Sequence, residues 1–545
     1  MKSNRWTVLY IIGVIYIFSS CANRVTPSGG KKDEKQPAVQ SMEPPNYSKN
    51  FKGRKVEITF DEYVQLMDLQ KQLIISPLID PQPSINVKKK SLVIALPENL
   101  KVNTTYTFNF GNAITDIHEN NAIESFQYVF STGEILDSLY CKGKAVDALK
   151  KTGEKGICIL LYHDIDDSLP LKSKPDYFAR TNENGEFRIS NIGAGQYMLV
   201  AVNDKNSNYI CDSPKEEAIS LSQIIVPDSN AINLDYFIEQ PSGLYIKKTT
   251  YAGDRKWNVM MNKSSDSASF SPLNDSQPIY LEAWSMNRDT AFIWCSDTVQ
   301  DTLYVKLLYN QVTTDTLRLQ LATPKTTESK GRGGTVAFPA KYNFIEGYSA
   351  TNGLRPFTNL EISLKNPIIN FSTDKLVLTE DSVKIEKFSA VFSDSLKRKL
   401  IVMAKWKEES RYELTMLPGA VTDFMGITND TIRIPFLVRN ISEFGTLQLN
   451  LIEIPKGNLL LQLLKSEAGV IQQMKVSAAG KYDFKAIDPA KYRLCIVVDR
   501  NGNGRWDTGN YLQKLPPEEV YYYDSEITIR ANWDMEQEWK VIHEN

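Results

Sequence analysis

Short segments of alternating or wholly apolar residues, separated by turn residues, recur along almost the whole chain. Many are rich in valine, isoleucine, threonine, tyrosine and phenylalanine, the residues that favour strands. The pattern predicts strands that include Lys55–Phe60, Ser91–Leu96, Thr105–Phe110, Gln127–Phe130, Thr302–Leu307, Thr316–Leu321, Lys399–Met403 and Thr446–Leu451. Helical periodicity is nearly absent, and only Asp68–Leu73 and Ile135–Leu139 are predicted to form a short turn of helix. Strands at this spacing predict an all-β chain of sandwiches rather than β-α-β units.

Two distant segments of the chain are copies of each other. Residues 185–212 align with residues 480–507 at a constant offset of 295, without a gap. Gly185, Ile192, Tyr197, Leu199, Val202, Asp204, Asn206, Asn208 and Asp212 recur as Gly480, Ile487, Tyr492, Leu494, Val497, Asp499, Asn501, Asn503 and Asp507. Each copy contains two alternating strands joined by a tight turn, which predicts a hairpin with its tyrosine facing inward. One β-module is therefore used twice.

A second pair of segments is also related. Tyr106–Asp116 resembles Tyr412–Asp423, because in each a tyrosine begins a late strand and an Ala-x-Thr-Asp run leads into a turn. A closing strand follows, ending near Phe130 in the first segment and near Phe436 in the second. These features resemble the bacterial Ig-like domain of the S-layer-protein (SbsA-like) type. The resemblance implies one Ig-like sandwich in each half of the chain.

The repeated module of residues 185–212 resembles a different sandwich, the transthyretin-like or carboxypeptidase-regulatory-like domain. The residues that carry the resemblance are Thr181, Gly185, Phe187, Ile189, Ile192, Gly195, Tyr197 and Leu199. The later copy keeps Gly480, Tyr482, Phe484, Ile487, Tyr492 and Leu494, but Ala490 replaces the second glycine.

Together, these resemblances divide the chain into seven segments. They are a lipoprotein signal peptide (1–21), a flexible tether (22–45), an Ig-like domain (46–133), a transthyretin-like sandwich (134–240), a β-domain of unknown role (241–345), a second Ig-like domain (346–440) and a second transthyretin-like sandwich (441–545). The fold class is thus an all-β tandem array of sandwiches behind a signal peptide and tether. This arrangement resembles a group of Bacteroidetes envelope lipoproteins.

The N-terminal segment has the features of a secretory signal. Lys2 and Arg5 precede an apolar run of 13 residues, Trp6–Phe18, whereas a bilayer span needs about 20. Cys21 stands where a bacterial lipoprotein signal has its acylated residue, although Phe18 replaces the usual aliphatic residue. An ordinary signal peptide with an incidental cysteine is the alternative. The anchor interpretation predicts attachment to the outer membrane, and the lack of an acidic run after Cys21 favours its periplasmic face over the cell surface.

Composition and charge narrow the possible partners. The 63 basic and 65 acidic residues are balanced, so nothing resembles a nucleic-acid footprint. The only basic cluster, Lys88–Lys90, lies between two predicted strands and is interpreted as a hairpin tip.

The remaining cysteines are Cys141, Cys158, Cys211, Cys295 and Cys495; they are scattered and predict neither a zinc site nor a disulfide framework. A bridge between the first two is possible, and the last is interpreted as a small buried hydrophobe.

The one pattern with metal chemistry is an Asp-x-Asn-x-Asn-x-x-x-Asp loop that follows the repeated strand. Ca²⁺ takes about six to eight oxygen ligands, and alternating loop positions can direct such oxygens to one point. The predicted calcium ligands are Asp499, Asn501, Asn503 and Asp507 in the last module, and Asp204, Asn206, Asn208 and Asp212 in the earlier one. Gly504 permits the sharp turn, whereas its counterpart Tyr209 should resist a positive φ and weaken the earlier site. Self-bonded Asx turns are the alternative for both loops.

No residue pattern predicts catalysis. The histidines His118, His163 and His543 show no zinc spacing and are interpreted as surface or loop residues. We therefore predict a non-enzymatic structural or protein-interaction scaffold, tied to the membrane by lipid and facing an envelope partner of unknown identity. One alternative is a glycan-binding lipoprotein that uses exposed aromatics such as Trp506, Tyr511 and Tyr521–Tyr523. Another is a hydrolase with an unrecognised carboxylate pair.

Overall fold

The computed structural model describes residues 34–212, 218–228, 230–241, 243–273, 280–285, 287–295, 302–321, 343–465 and 469–541. These residues form two compact units. The described residues within 1–145, 153–216 and 222–234 form the first unit, and those within 146–152, 217–221 and 235–545 form the second. Strands are the main regular structure of both units, and helices among the described residues are short, which confirms the predicted all-β fold class.

The first strand group lies in the first unit. Its strands are β1 (Val39–Glu43), β2 (Lys55–Phe60), β3 (Val64–Leu66), β4 (Ile74–Ser76), β5 (Ser84–Lys88), β6 (Ser91–Ala95), β7 (Thr105–Gly111), β8 (Ile114–Asp116) and β9 (Phe126–Ser131), with helix α1 (Leu69–Gln72) before β4. The sheets β1-β2-β6-β5, β3-β8 and β4-β7-β9 enclose one apolar core. Lys89 and Lys90 form the turn between β5 and β6, which confirms the predicted hairpin tip.

The second strand group has members in both units. Its strands are β10 (Leu139–Asp147), β11 (Cys158–Tyr162), β12 (Tyr177–Arg180), β13 (Glu186–Ile192), β14 (Tyr197–Val202), β15 (Ala218–Ser220), β16 (Gln223–Ile225) and β17 (Ile232–Ile238), with helix α2 (Leu169–Lys172) after β11. In the first unit β10 pairs with β13, while β11 pairs with β12 and β14, and β14 also pairs with β16. In the second unit β15 pairs with the end of β17.

The third strand group belongs to the second unit. Its strands are β18 (Ile246–Gly253), β19 (Lys256–Met261), β20 (Ala268–Pro272), β21 (Tyr280–Trp284), β22 (Thr290–Cys295), β23 (Thr302–Tyr309) and β24 (Val312–Gln320). The sheets β18-β19-β22-β21 and β20-β23-β24 contribute to one core. The exposed loop predicted at Thr323–Gly334 lies outside the described residues.

The fourth strand group follows in the same unit. Its strands are β25 (Ile345–Tyr348), β26 (Leu360–Leu364), β27 (Ile368–Phe371), β28 (Leu376–Glu380), β29 (Val383–Lys384), β30 (Ser389–Phe392), β31 (Lys399–Met403), β32 (Arg411–Met416), β33 (Val421–Asp423) and β34 (Ile432–Leu437), with 3₁₀ turns at Thr373–Lys375 and Ile441–Glu443. The sheets β25-β26-β31-β30, β27-β33 and β29-β28-β32-β34 repeat the pairing of the first group, apart from the added β29.

A matched tyrosine contact supports the relation between the first and fourth groups. The Tyr106 hydroxyl accepts a hydrogen bond from the Lys101 backbone N–H at 2.8 Å. The Tyr412 hydroxyl accepts one from the Lys407 N–H, also at 2.8 Å. Both tyrosines are buried at the start of their strands. In each sandwich the tyrosine hydroxyl therefore makes the same hydrogen bond to the backbone five residues before it.

The fifth strand group completes the second unit. Its strands are β35 (Gly445–Ile452), β36 (Leu459–Lys465), β37 (Gly469–Val476), β38 (Gly480–Ile487), β39 (Ala490–Val498), β40 (Val520–Tyr522), β41 (Ile527–Ile529) and β42 (Asp534–Lys540). One sheet has the order β38-β35-β42, with β35 and β42 parallel. The other has the order β37-β36-β39-β40, and β41 also pairs with β39.

The hairpin predicted for the repeated segments is wrong. The two consecutive strands pair with different partners: β13 with β10 but β14 with β11, and likewise β38 with β35 but β39 with β36. The inward tyrosine is confirmed in both copies. The Tyr197 hydroxyl donates to the Gly193 carbonyl at 3.1 Å, and the Tyr492 hydroxyl donates to the Asp488 carbonyl at 2.7 Å. The connection between these two differently paired strands is called an arch below, and the tyrosine hydroxyl bonds to the backbone of this arch in each copy.

One of the two predicted helical turns is also wrong. Helix α1 falls within Asp68–Leu73, as expected. Residues 135–138 are not helical, and β10 begins at Leu139. Ile135 is 74% exposed, so a helix here would lack an apolar contact to stabilise it. The Asp137 N–H is instead bound to the Thr105 hydroxyl at 2.8 Å.

Candidate functional site

The loop after β39 is organised around a buried carboxylate. Asp499 is 1% exposed, and its Oδ1 accepts a hydrogen bond from the Asn503 N–H at 3.0 Å. Its Oδ2 accepts one from the Gly504 N–H at 2.9 Å. The Asn503 N–H also bonds to the Asn501 Oδ1 at 3.0 Å. Two backbone donors therefore satisfy Asp499 within the loop itself.

The other predicted ligands meet at Asp507. Its Oδ2 accepts hydrogen bonds from the side-chain amides of Asn501 and Asn503, at 2.6 and 2.7 Å. The structure thus brings the four predicted residues together in the hydrogen-bonded form of the loop, with amide nitrogens rather than oxygens facing Asp507. Among the described residues, no group of three or more His, Cys, Asp or Glu side chains is placed to hold a metal ion.

Glu518 is a further member of the loop that sequence reasoning missed. It is 5% exposed, and its two carboxylate oxygens accept hydrogen bonds from the Arg500 N–H at 2.7 Å and the Asp507 N–H at 3.0 Å. Burial raises the pKa of the Glu518 carboxyl, and the charges of Asp507 and Asp499 add to the rise. No loop motif includes a residue at this spacing, so the sequence contained no signal for it.

The same loop is tied to neighbouring elements of its unit. Arg505 forms an ion pair with Asp266, with the Nη2 and Oδ2 atoms 2.6 Å apart. The Thr508 hydroxyl donates to the Ile238 carbonyl at 2.7 Å. The Trp506 indole N–H donates to the Glu518 carbonyl at 2.8 Å. These three contacts hold the loop in place, which is consistent with a structural role for it.

The earlier copy of the loop repeats this bonding. Asp204 is 8% exposed and accepts hydrogen bonds from the backbone N–H groups of Asn208 and Tyr209, at 3.3 and 2.9 Å. The Asn208 N–H bonds to the Asn206 Oδ1 at 2.8 Å. The Asn208 side-chain amide contacts both carboxylate oxygens of Asp212 at 3.0 Å. All four predicted residues are again brought together, in the Asx-turn form.

The expectation that Tyr209 would avoid a positive φ is wrong. Its φ is 64°, close to the 83° of Gly504 at the matching position. The tyrosine ring is 8% exposed and lies 4.5 Å from the Phe178 ring, centroid to centroid. Packing and the hydrogen bond to Asp204 offset the local backbone cost, which is about 1–2 kcal/mol. The two loops therefore share one backbone shape despite the substitution.

The cysteine predictions have mixed outcomes. Cys141 and Cys158 are free thiols, so the possible bridge between them is wrong. Burial raises the pKa of Cys141 to about 12 and that of Cys158 to about 11, which keeps both thiols protonated at neutral pH. Cys495 is 1% exposed, which confirms its interpretation as a buried residue. Cys21 lies outside the described residues.

The aromatic residues proposed for glycan stacking are not an exposed platform. Tyr511 is 2% exposed, and Trp506 packs half-buried against a small core that includes Val497. Tyr521 and Tyr523 pack against the main core of the fifth strand group. The glycan-binding alternative therefore lacks the exposed rings it required, because Trp506, Tyr521, Tyr522 and Tyr523 contribute apolar surface to a core and Tyr511 is buried.

The histidines that were considered as candidate site residues lie at the surface where the structure describes them. His118 and His163 are exposed, as predicted, whereas His543 lies outside the described residues. Among the described residues, no helix is long and apolar enough to cross a bilayer.

Comparison with known proteins bears on the first strand group. Residues 33–132 match the family model described as "Bacterial Ig-like domain". This match confirms the Ig-like resemblance for that part of the chain and agrees with its three-sheet core. No curated protein sequence matches the chain.

Several solved structures were also matched. The TIE protein of Bacillus anthracis is 9% identical, with 94% of this chain and 76% of that chain covered and a TM-score of 0.14. BcpA, the major pilin subunit of Bacillus cereus, is 8% identical, with 74% and 99% covered and a TM-score of 0.13. The S-layer protein rSbsC is 12% identical, with 89% and 66% covered and a TM-score of 0.14. Likeness this low carries no argument about function.

Proposed function

We propose that this protein is a non-enzymatic lipoprotein that serves as a structural or protein-interaction scaffold in a cell envelope. The observation that carries the proposal is an Ig-like domain match at residues 33–132, beginning shortly after a lipobox-like segment that ends at Cys21. In this proposal the residues between them form a short polar tether. The predicted tether of residues 22–45 is too long, because Val39–Glu43 forms β1 and pairs with β2. The partner is an envelope protein that the β-sandwiches contact.

Lipid attachment has a clear physical basis. Each buried methylene of an acyl chain contributes about 0.8 kcal/mol, so several chains on Cys21 would hold the protein at a membrane. Several apolar cores of the described residues support the scaffold role, since a packed sandwich resists deformation. We place the protein at the outer membrane, on its periplasmic face, because the residues that follow Cys21 lack an acidic run.

The experiment is a Cys21→Ser substitution in the full chain, expressed in a bacterium with lipoprotein processing. We expect labelled palmitate incorporation and membrane fractionation to be lost, because the acylated sulfur is removed. Cys211→Ser is the matched control and should retain both properties. If Cys21→Ser still incorporated lipid and fractionated with membranes, the anchor would be wrong.

We further propose that the Asp499–Asp507 loop binds calcium weakly and is stiffened by it. The Asn501 and Asn503 amides already meet at the Asp507 carboxylate, next to the buried Asp499. A calcium ion at this point would replace the two amide-to-carboxylate hydrogen bonds and would draw on the amide oxygens that now accept the Asn503 and Arg505 N–H bonds. The earlier loop at Asp204–Asp212 has the same shape and is proposed to bind in the same way. Both sites would have dissociation constants of about 10⁻⁴–10⁻³ M.

Calcium binding is tested by thermal unfolding in millimolar calcium and in chelator. Binding to the folded state raises the unfolding temperature, and the shift should shrink in Asp507→Asn because a ligand charge is lost. Asp483→Asn, at a position on β38 away from the loop, should keep the full shift. An unfolding temperature of the parent chain that did not respond to calcium would remove this proposal and leave the scaffold role intact.

A further inference from the structure

A polar cavity of about 570 Å³ lies between the third and fourth strand groups, both in the second unit. Lys256, Trp284 and Phe292 line it from the third group. Glu346 and Arg398 line it from the fourth. Its volume is large enough for a small organic molecule.

Lys256 is an unusual residue for such a wall because it is 6% exposed. Its ammonium lies 5.0 Å from the centroid of the Phe292 ring and 5.3 Å from that of the Trp294 ring. Its ion-pair partner is Glu346, with Nζ and Oε1 3.8 Å apart. Hydrogen bonds between such groups span about 2.7–2.9 Å. The contact with Glu346 is longer than that, and it is the ion pair that Lys256 forms within the described part of the chain.

Glu346 is already engaged by a second cation. Its Oε2 lies 2.7 Å from the Arg398 Nη2, and its side chain is 49% exposed. Two largely buried cations therefore share one half-exposed carboxylate. Burial lowers the pKa of Lys256; the Glu346 carboxylate raises it, but the charges of Arg398 and Lys365 oppose that rise and the net shift is downward.

The other carboxylates of the cavity are also satisfied. Glu282 accepts hydrogen bonds from the Phe270 N–H at 3.2 Å and the Trp284 indole N–H at 3.3 Å. The Asp394 Oδ1 accepts two backbone N–H bonds, from Arg398 at 2.8 Å and Lys399 at 2.7 Å. Among the described residues, the Lys256 charge is met only by the faces of two aromatic rings and by a carboxylate 3.8 Å away that it shares with Arg398. A buried charge is costly unless it is closely paired.

We propose that this cavity binds a small oxyanion, a phosphate or carboxylate group, through the Lys256 ammonium with support from Arg398. An oxyanion supplies the close acceptor that Glu346 does not, and charge-assisted bonds of this kind are the strong ones. The site is independent of the membrane anchor. Its ligand is either the free ion or the same group carried on a sugar.

The test is calorimetric titration of the full chain with inorganic phosphate at constant ionic strength. Saturable binding is expected in the parent chain. Lys256→Met keeps an apolar stem and removes the charge, so its affinity should fall at least tenfold, in line with loss of a charge-assisted hydrogen bond. Lys475→Met, at an exposed position of β37, should bind like the parent.

A second variant guards against a folding defect in the first. Glu346→Gln removes the competing carboxylate and should tighten phosphate binding, a direction that damage to the fold would not produce. A hexose phosphate that bound more tightly than inorganic phosphate would identify a sugar-borne group, and equal affinity would identify the free ion. Absence of saturable binding in the parent, or unchanged affinity in both variants, would overturn the proposal.

Discussion

At the scale of single residues, local backbone preference was a poor guide to the repeated loops. Tyr209 and Gly504 occupy the same left-handed conformation, although a tyrosine was expected to avoid it. The ring of Tyr209 packs against Phe178, a residue far away in the chain, whereas the hydrogen bond from the Tyr209 N–H to Asp204 lies within the loop. No local rule could include the Phe178 contact, so the predicted difference between the two loop shapes did not arise.

Gly504→Ala should destabilise the second unit by about 1 kcal/mol, because φ is 83° and a Cβ is strained there. An added Cβ would meet no atom within 4 Å, so a clash cannot produce the effect. Chemical denaturation measures the free energy of unfolding. Gly243→Ala, with equally open space and no left-handed φ, is the control and should cause no such loss. Equal effects of the two substitutions would contradict the strain argument.

At the scale of elements, the sequence predicted strand positions better than strand partners. The predicted strands Lys55–Phe60 and Lys399–Met403 have the observed bounds. The arch between β38 and β39 was predicted as a hairpin, since a tight turn between alternating segments has the same local pattern in both arrangements. Partner choice depends on the strands β35 and β36, which come earlier in the chain.

Tyr492→Phe should destabilise the second unit by about 1 kcal/mol, since the variant loses the hydrogen bond from the hydroxyl to the Asp488 carbonyl. The ring would remain packed, so the decrease in the free energy of unfolding measures the contribution of the hydroxyl hydrogen bond alone. The measurement is again equilibrium denaturation. Tyr245→Phe removes a hydroxyl from a side chain that is 53% exposed and serves as the control. If Tyr492→Phe were as neutral as the control, the hydroxyl would not stabilise the arch.

At the scale of the whole molecule, a buried polar chain joins the third and fourth strand groups. The Trp294 indole N–H donates to the Asn366 Oδ1 at 3.2 Å, and the Asn366 amide donates to the Asp423 Oδ2 at 3.3 Å. All three side chains are buried. These contacts bring residues from two sandwiches into one network, which favours concerted unfolding of the two groups.

Asn366→Ala should destabilise the second unit by about 2–3 kcal/mol, because it removes hydrogen bonds to a buried carboxylate and a buried indole. We also expect calorimetry to show a broader or divided transition, as the two sandwiches lose a shared contact. Asn370→Ala, at an exposed position of β27, is the control and should leave the transition unchanged. An unaltered single transition in Asn366→Ala would show that other contacts couple the two groups.

The sequence by itself determined the all-β class, many of the strands, the repeated module and the Ig-like resemblance of the first group. These follow from side-chain alternation and turn residues, which are local properties of the chain. Only the tertiary structure decided which strands pair, that Glu518 joins the Asp499 loop, and that Lys256 and Arg398 share Glu346. Those features depend on contacts between residues far apart in the chain, and alternation within a strand contains no information about which distant strand will cover it.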